Sequence, residues 1–424
     1  MSSLSELLAD LVSKDIKIWE DGGKLRCSGP DQFMTAELQS ELGARKVELL
    51  AFLNQVNITA GSKRGAPAPV AKDANIPLSY DQRRGGSVTD QERPASVHNN
   101  LPIFSETRVI DSEIDNSVAW RGTELPPDAG FISIPTDCSA EIAGLAGELH
   151  ANPLPLAALR PDDFNLPACR LLMNKVKQEL DHGLGFVVVD RLDLSGMSRD
   201  VAVAVYWLLV SMVARPVAQK WDGTMIYEVC DLGKKSTRAV DTNDEMNYHT
   251  DNSFNVCPPQ YVGLLCLQKA KEGGVSQIVN FSAAHNEMRR RYPELLRRLY
   301  RPYVFDRQRE HAPGDAMAVR HAMFENHDGR LMGRLSRFHV KMGHALAGEP
   351  LDSEGEAAME ALEAIMNEPG MGQEFWFEPG QVQIIDNRRV GHKRTSFIDW
   401  PEPDRKRKLV RLWLRDSGRP FYNG

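Results

Sequence analysis

The feature that most constrains this chain is a pair of short stretches, Asn247-Tyr248-His249-Thr250-Asp251-Asn252-Ser253-Phe254 and Asp386-Asn387-Arg388-Arg389-Val390-Gly391-His392-Lys393-Arg394. Between them they supply two histidines and one carboxylate. In an extended strand side chains alternate faces, so the spacing predicts His249 and Asp251 pointing together into a barrel, where a distant strand delivers His392. Three such ligands on one face suit non-haem Fe(II) and leave it open positions for a chelating co-substrate and O2.

The His-x-acid pair has little force alone, because a chain with 11 His and 58 acidic residues among 424 contains roughly one or two such pairs by chance. His285-Asn286-Glu287 is one of them. It sits in Ser282-Ala283-Ala284-His285-Asn286-Glu287-Met288-Arg289, a helical pattern, where positions two apart do not share a face. His249 and Asp251 stand out through the ordered features downstream of them. The apolar strand Tyr261-Val262-Gly263-Leu264-Leu265-Cys266-Leu267 leads to Gly273-Gly274-Val275-Ser276, and a long interior region then ends at the turn Glu378-Pro379-Gly380. The strand Gln381–Asp386 comes next, with His392 just beyond it. In Arg407-Lys408-Leu409-Val410-Arg411-Leu412-Trp413, alternation places Arg407, Leu409, Arg411 and Trp413 on one face. Two guanidinium groups aimed into one cavity are costly unless paired, and so imply anionic guests.

With these motifs in this order, roughly residues 104 to 418 resemble the Fe(II)- and 2-oxoglutarate-dependent dioxygenases of the taurine dioxygenase, clavaminate synthase and gamma-butyrobetaine hydroxylase group. The resemblance implies that His249, Asp251 and His392 ligate iron and that Arg407 binds the distal carboxylate of 2-oxoglutarate through a bidentate fork. It places Arg411 at a position used for a substrate carboxylate or for further support of the co-substrate. Ser276 falls where the family often sets a hydroxyl near 2-oxoglutarate, although a Ser in a Gly-Gly turn also bonds its own backbone. Arg330, Arg334 and Arg337 are candidates for the substrate mouth, the alternative being a solvated strand edge. O2 is the second co-substrate, and hydroxylation of a C–H bond is the default outcome. Desaturation and ring closure need only a different radical fate, and Asp251 disfavours halogenation because family halogenases lack the ligating carboxylate.

The expected catalytic fold is mainly β with flanking helices, a double-stranded β-helix or jelly-roll. The stretches Leu171–Leu180 and Asp200–Val210 read as helices around the strand Gly185–Val189, and a capped helix is expected from about Ser353 to Met366.

The first 55 residues read as a separate small α+β unit. Leu4–Val12 patterns as an amphipathic helix, and Ile16–Glu20 and Lys24–Cys27 alternate around Asp21-Gly22-Gly23, a hairpin signal. Thr35 is an N-cap for one or two helices running to Leu53. So small a unit benefits from dimerisation or a docking partner. Lys17-Ile18-Trp19, the Gly-Gly turn, Leu25-Arg26 and Glu48-Leu49-Leu50-Ala51-Phe52-Leu53 resemble the tubulysin-synthetase type of N-terminal docking domain on nonribosomal peptide synthetase subunits. Such domains receive the C-terminal segment of an upstream subunit, often as an added strand. Residues 56–103 lack hydrophobic periodicity and read as a flexible linker before a catalytic domain over 104–424. Within the linker, the stretch from Ile76 to Pro94 resembles the opening of a synthetase condensation domain that nothing afterwards continues.

Composition limits the remaining choices. A formal charge of −7 argues against nucleic acid as a partner. No apolar run approaches membrane-spanning length and no signal-peptide pattern opens the chain, so a cytoplasmic address is expected. Six cysteines without a Cys-x-x-Cys pair favour reduced thiols and no zinc site. The expected substrate is an aminoacyl or peptidyl intermediate tethered to a carrier protein in nonribosomal peptide biosynthesis. A free amino acid or small carboxylate is the alternative within the same chemistry, and a catalytically silent docking scaffold the alternative outside it.

Overall fold

The computed structural model describes residues 107–231 and 242–418 except positions 116 and 312–314, together with Gly233, Ile103–Phe104 and Phe421–Tyr422. Nearer the N-terminus it describes Lys17–Asp21, Lys24–Ser28 and positions 35, 38, 42–47, 49 and 50. The chain divides into two compact units, residues 1–93 and 94–424.

In the first unit, Lys17–Asp21 and Lys24–Ser28 form an antiparallel hairpin in the register Lys17 opposite Ser28 and Asp21 opposite Lys24. Thr35 caps the helical segment, its Oγ1 accepting from the Leu38 N–H at 3.3 Å. Leu38, Leu42 and Leu49 are buried. A turn at Arg45 interrupts the helical residues. The expected helix over 4–12, nearly all of the expected linker and the 76–94 motif lie outside the described residues.

The second unit is built on two sheets. Its principal strands are, in chain order, Phe131–Ser133 (β1), Phe186–Asp190 (β2), Arg215–Val217 (β3), Tyr227–Val229 (β4), Met246–His249 (β5) and Tyr261–Gln268 (β6). Ser276–Asn280 (β7), Gly372–Phe375 (β8), Val382–Asp386 (β9), Val390–Arg394 (β10) and Lys408–Arg415 (β11) complete them. The larger sheet runs β1-β2-β9-β6-β11-β3, with β4 also on β11; the smaller runs β8-β7-β10-β5. Apart from the parallel β1–β2 pair, neighbours are antiparallel. The result is the mainly-β jelly-roll architecture that the sequence implies.

Period-2 alternation divides each central strand between two cores. On β11, Val410, Leu412 and Leu414 pack with helices Thr136–Ala151 (α1), Pro167–His182 (α2) and Arg199–Ser211 (α3), while Leu409 and Trp413 face the barrel interior. On β2, Val187 and Val189 join the helical core and Phe186 and Val188 the barrel. Helix α3 is buried from Val201 through Val210 and starts at Ser198, whose Oγ accepts from Val201 N.

Between β7 and β8 the chain inserts helices Phe281–Arg291 (α4), Pro293–Leu299 (α5), Arg337–Ala347 (α6) and Ser353–Met366 (α7). Asp352 caps α7 by accepting from Gly355 N at 2.7 Å. His285, the rejected ligand candidate, lies on α4, fully buried and 2.9 Å from the Tyr300 hydroxyl. Glu287 is engaged by Arg121, Arg290 and Arg291.

The insert carries a correction to the reading of Arg334 as a substrate contact. Arg334 is 5% exposed, donates Nε to Glu325 at 3.0 Å, and spends Nη1 on the carbonyls of Ser253 and Asn255. Arg388 donates to the other Glu325 oxygen at 2.6 Å. A guanidinium this far inside is stable only when saturated, so Arg334 is used to tie the insert to the turn after β5. Arg330 is exposed, bonding the Asp181 carbonyl.

Burial pushes the Glu325 carboxyl up, but Arg334 and Arg388 outweigh it and hold it at about 2, below the unfolded value of about 4.3. Stability from this network is therefore complete above the unfolded value and is lost as pH falls from about 4 towards 2. Glu325→Leu should cost about 3–5 kcal/mol at neutral pH in urea unfolding, since it strands two buried cations. The deficit should shrink towards pH 2.

Candidate metal centre

His249 ends β5 and His392 lies at the centre of β10, and the two are direct cross-strand partners in the smaller sheet. That register sets their ring centroids 4.3 Å apart. Asp251 arrives differently from the expectation of a continuous strand. β5 stops at His249, and Asp251 sits in the adjoining turn, next to Asn252 at φ 53°. Asn387 clamps that turn by accepting from Asp251 N at 2.8 Å and donating to the Asp251 carbonyl at 3.0 Å.

The two Asp251 oxygens have separate duties. Oδ2 accepts from Trp413 Nε1 at 2.7 Å and lies 3.1 Å from Arg411 Nη1. Oδ1 is left 3.6 Å from His249 Nε2 and 3.7 Å from His392 Nε2. Ligand atoms of all three residues lie within 4.8 Å of one another. The His249 Nδ1 is 2.9 Å from the Asn247 carbonyl, which fixes the proton on Nδ1 and turns the Nε2 lone pair towards the common point. Burial would raise the Asp251 carboxyl, but Arg411 and the histidines hold it well below the usual carboxylate range. Burial, and then His249, lower His392 to about 3, leaving a neutral imidazole at physiological pH. Two imidazole nitrogens and one carboxylate oxygen, converging on one point, fit a divalent metal of borderline softness with positions to spare.

A cavity of about 430 Å³ opens in front of this cluster, with Phe338, Arg411, Trp413 and Tyr422 on its wall. A smaller one of about 50 Å³ shares His249, Asp251 and Arg411 with it and extends past His392 to Ser276, Gln383, Arg394 and Arg407. Arg407 is 5% exposed, and its Nη1 has no hydrogen-bond partner among the described residues. Burial draws it down to about 10, so it remains a cation at neutral pH. An unsatisfied buried guanidinium beside the metal ligands fits the far carboxylate of a chelating dicarboxylate such as 2-oxoglutarate.

Residues 150–413 match the family model "Taurine catabolism dioxygenase TauD, TfdA family". The chain belongs to this family. It is an Fe(II)- and 2-oxoglutarate-dependent dioxygenase, built on a jelly-roll framework. Residues 4–55 match the TubC N-terminal docking domain. FR-33289 synthase of Streptomyces rubellomurinus is 28% identical over 291 residues, covering 66% of this chain and 84% of that one. Bacitracin synthase 2 of Bacillus licheniformis is 29% identical over 124 residues, 28% of this chain and 4% of that one. Among solved structures, the non-heme iron oxygenase OrfP in complex with Fe, succinate and (3S)-hydroxy-L-Arg aligns with a TM-score of 0.53 at 15% identity, covering 68% of this chain and 94% of that one. Among the described residues, no helix is long and apolar enough to cross a membrane.

Of the residues singled out in the sequence, the structure gathers His249, Asp251, His392, Arg407, Arg411 and Ser276 around the two cavities. Arg411 is engaged with Asp251 through Nη1 and with Gln219 Oε1 through Nε at 2.8 Å, so part of its guanidinium is given to a metal ligand. Arg337 borders the larger cavity but is neutralised by Glu360 and Glu363, each at 2.6 Å. Sequence reasoning missed Asn387, Gln219 and Tyr422. Only Asn387, in the polar turn between β9 and β10, carries a local signal.

Asp251→Ala should abolish Fe(II) binding and succinate formation. Trp413→Phe keeps an aromatic ring but frees Oδ2, and should weaken anaerobic Fe(II) binding by about 10-fold or more in calorimetry. His285→Ala should leave that affinity unchanged.

Proposed function

We propose that the enzyme hydroxylates an unactivated C–H bond of an aminoacyl or peptidyl group while that group is attached to a carrier protein of a nonribosomal peptide assembly line. The observation that carries this reading is the charge on the wall of the larger cavity. Its arginines, Arg411 and Arg337, are both paired with carboxylates. Each therefore has its charge met within the protein before a guest arrives, which weakens the wall as a receptor for a free carboxylate. A free amino acid would bring such a carboxylate, and burying it without a partner is costly. A thioester or amide carries none. The N-terminal match to a docking domain supports the same reading, as it provides a means of choosing the synthetase subunit served.

On this reading His249 Nε2, His392 Nε2 and Asp251 Oδ1 hold Fe(II), and Arg407, with Ser276 beside it, receives the far carboxylate of 2-oxoglutarate. The bound iron supplies oxidative decarboxylation of 2-oxoglutarate by O2 and hydrogen abstraction from the target carbon. The chain's own residues do the positioning. Arg411 and Trp413 keep Asp251 ionised and aimed, Asn387 holds its backbone, and Phe338, Trp413 and Tyr422 present apolar surface that excludes water near the target carbon.

Intact-protein mass spectrometry should detect one added oxygen atom on a loaded carrier supplied with enzyme, Fe(II), 2-oxoglutarate and O2. The corresponding free amino acid should stay unchanged, and oxidation of the free acid alone would favour the small-molecule alternative. Removing residues 1–60 should leave uncoupled 2-oxoglutarate turnover intact and lower oxidation of the carrier-bound group at least severalfold at micromolar protein, because docking then no longer raises the effective concentration towards roughly millimolar. Equal rates with and without those residues would remove the docking role.

A further inference from the structure

The smaller cavity holds more hydrogen-bonding capacity than Arg407 accounts for. Arg394 and Gln383 line it as well, one at the end of β10 in the smaller sheet, the other on β9 in the larger. Arg394 is 6% exposed and Gln383 1%. Arg394 spends Nε on the Thr395 carbonyl and Nη2 on the carbonyls of Thr242 and Asp244. Among the described residues its Nη1 has no partner, and neither has Gln383 Nε2 or Arg407 Nη1. Three buried donors from three parts of the barrel thus border one small space without an acceptor. Buried donors in folded proteins are nearly always met, so the set describes the shape of an acceptor-rich guest.

The charges point the same way. Both guanidinium groups pack on the Phe397 ring, at 4.7 Å for Arg394 and 5.1 Å for Arg407, which makes two buried cations near neighbours. Asp399 acts on both guanidinium groups, and Asp231 and Asp244 act on Arg394. The open Nη1 of each arginine can give a guest carboxylate a charge-assisted hydrogen bond. A cavity of about 50 Å³ cannot take an aminoacyl group but suits the end of a short dicarboxylate.

We propose that the far carboxylate of 2-oxoglutarate is held between Arg407 and Arg394 with the Gln383 amide as a third donor, and that Arg394 and Gln383 set the preference for a dicarboxylic over a monocarboxylic 2-oxo acid. This rests on the oxygenase reading of the site.

The test is calorimetric titration of the full-length protein, loaded with Mn(II) under anaerobic conditions, with N-oxalylglycine and with 2-oxopentanoate. The first keeps the far carboxylate and the second lacks it. Arg394→Met should weaken N-oxalylglycine by about tenfold or more, and Gln383→Leu by about threefold, while 2-oxopentanoate changes less than about twofold in either. Arg394→Lys, which restores the charge, should recover part of the loss. If Arg394 serves only to hold the Thr242 and Asp244 carbonyls, both ligands weaken together and the selectivity ratio stays constant, which overturns the proposal. If Arg394→Met does not fold, the ratio in Gln383→Leu decides, and an unchanged ratio is again fatal. Wild-type protein that binds neither ligand would overturn the oxygenase reading itself, whereas wild-type binding with unchanged variants overturns only this inference.

Discussion

The interaction on which the site depends is the grip on Asp251. A carboxylate 5% exposed, beside two imidazoles, needs opposite charge and hydrogen bonds to remain ionised. Arg411 and Trp413, two apart on β11, supply both to Oδ2 from the opposite sheet, so Oδ1 is directed at the histidines. The larger sheet therefore orients the acidic ligand, and the smaller sheet holds the two histidines in register. Neither sheet alone builds the centre, and their separation across the barrel core sets the spacing of the ligands.

The two cavities differ in how their cations are satisfied. Arg337 at the larger one and Arg411, which borders both, are ion-paired within the protein, whereas at the smaller one Arg407 and Arg394 form no salt bridge among the described residues and keep unfilled donors. A rigid jelly-roll can maintain that contrast because these cations sit on or beside central strands whose backbones are fixed by the sheet. It gives the smaller compartment the positive character that an anionic co-substrate requires. The insert between β7 and β8 contributes to this division. It is tied down through Glu325, Arg334 and Arg388, and it brings Phe338 and Arg337 at the start of α6 to the rim of the larger cavity.

Much of this was legible in the chain. The His249, Asp251 and His392 set was readable because metal ligation restricts residue types severely, and the jelly-roll because alternation on stretches such as Arg407–Trp413 is a local property of strands. The helical context of His285 likewise excluded it without reference to anything distant. The N-terminal hairpin and the Thr35 cap were visible for the same reason, since turn and cap chemistry acts over three or four residues.

What only the tertiary structure decided is which partner each charge meets. Arg334, Arg337, Arg407 and Arg411 look alike in sequence, yet the first ties down the insert, the second is held by α7, the third keeps an open donor and the fourth orients a metal ligand. The sequence by itself determined the ligand types, the strand periodicity and the two-part organisation, because these depend on neighbours along the chain. The break of β5 before Asp251, the division of duties between its two oxygens and the fate of each arginine depend on residues remote in the chain. Coulombic and hydrogen-bond partners are set by distance in space, and no local pattern encodes that distance.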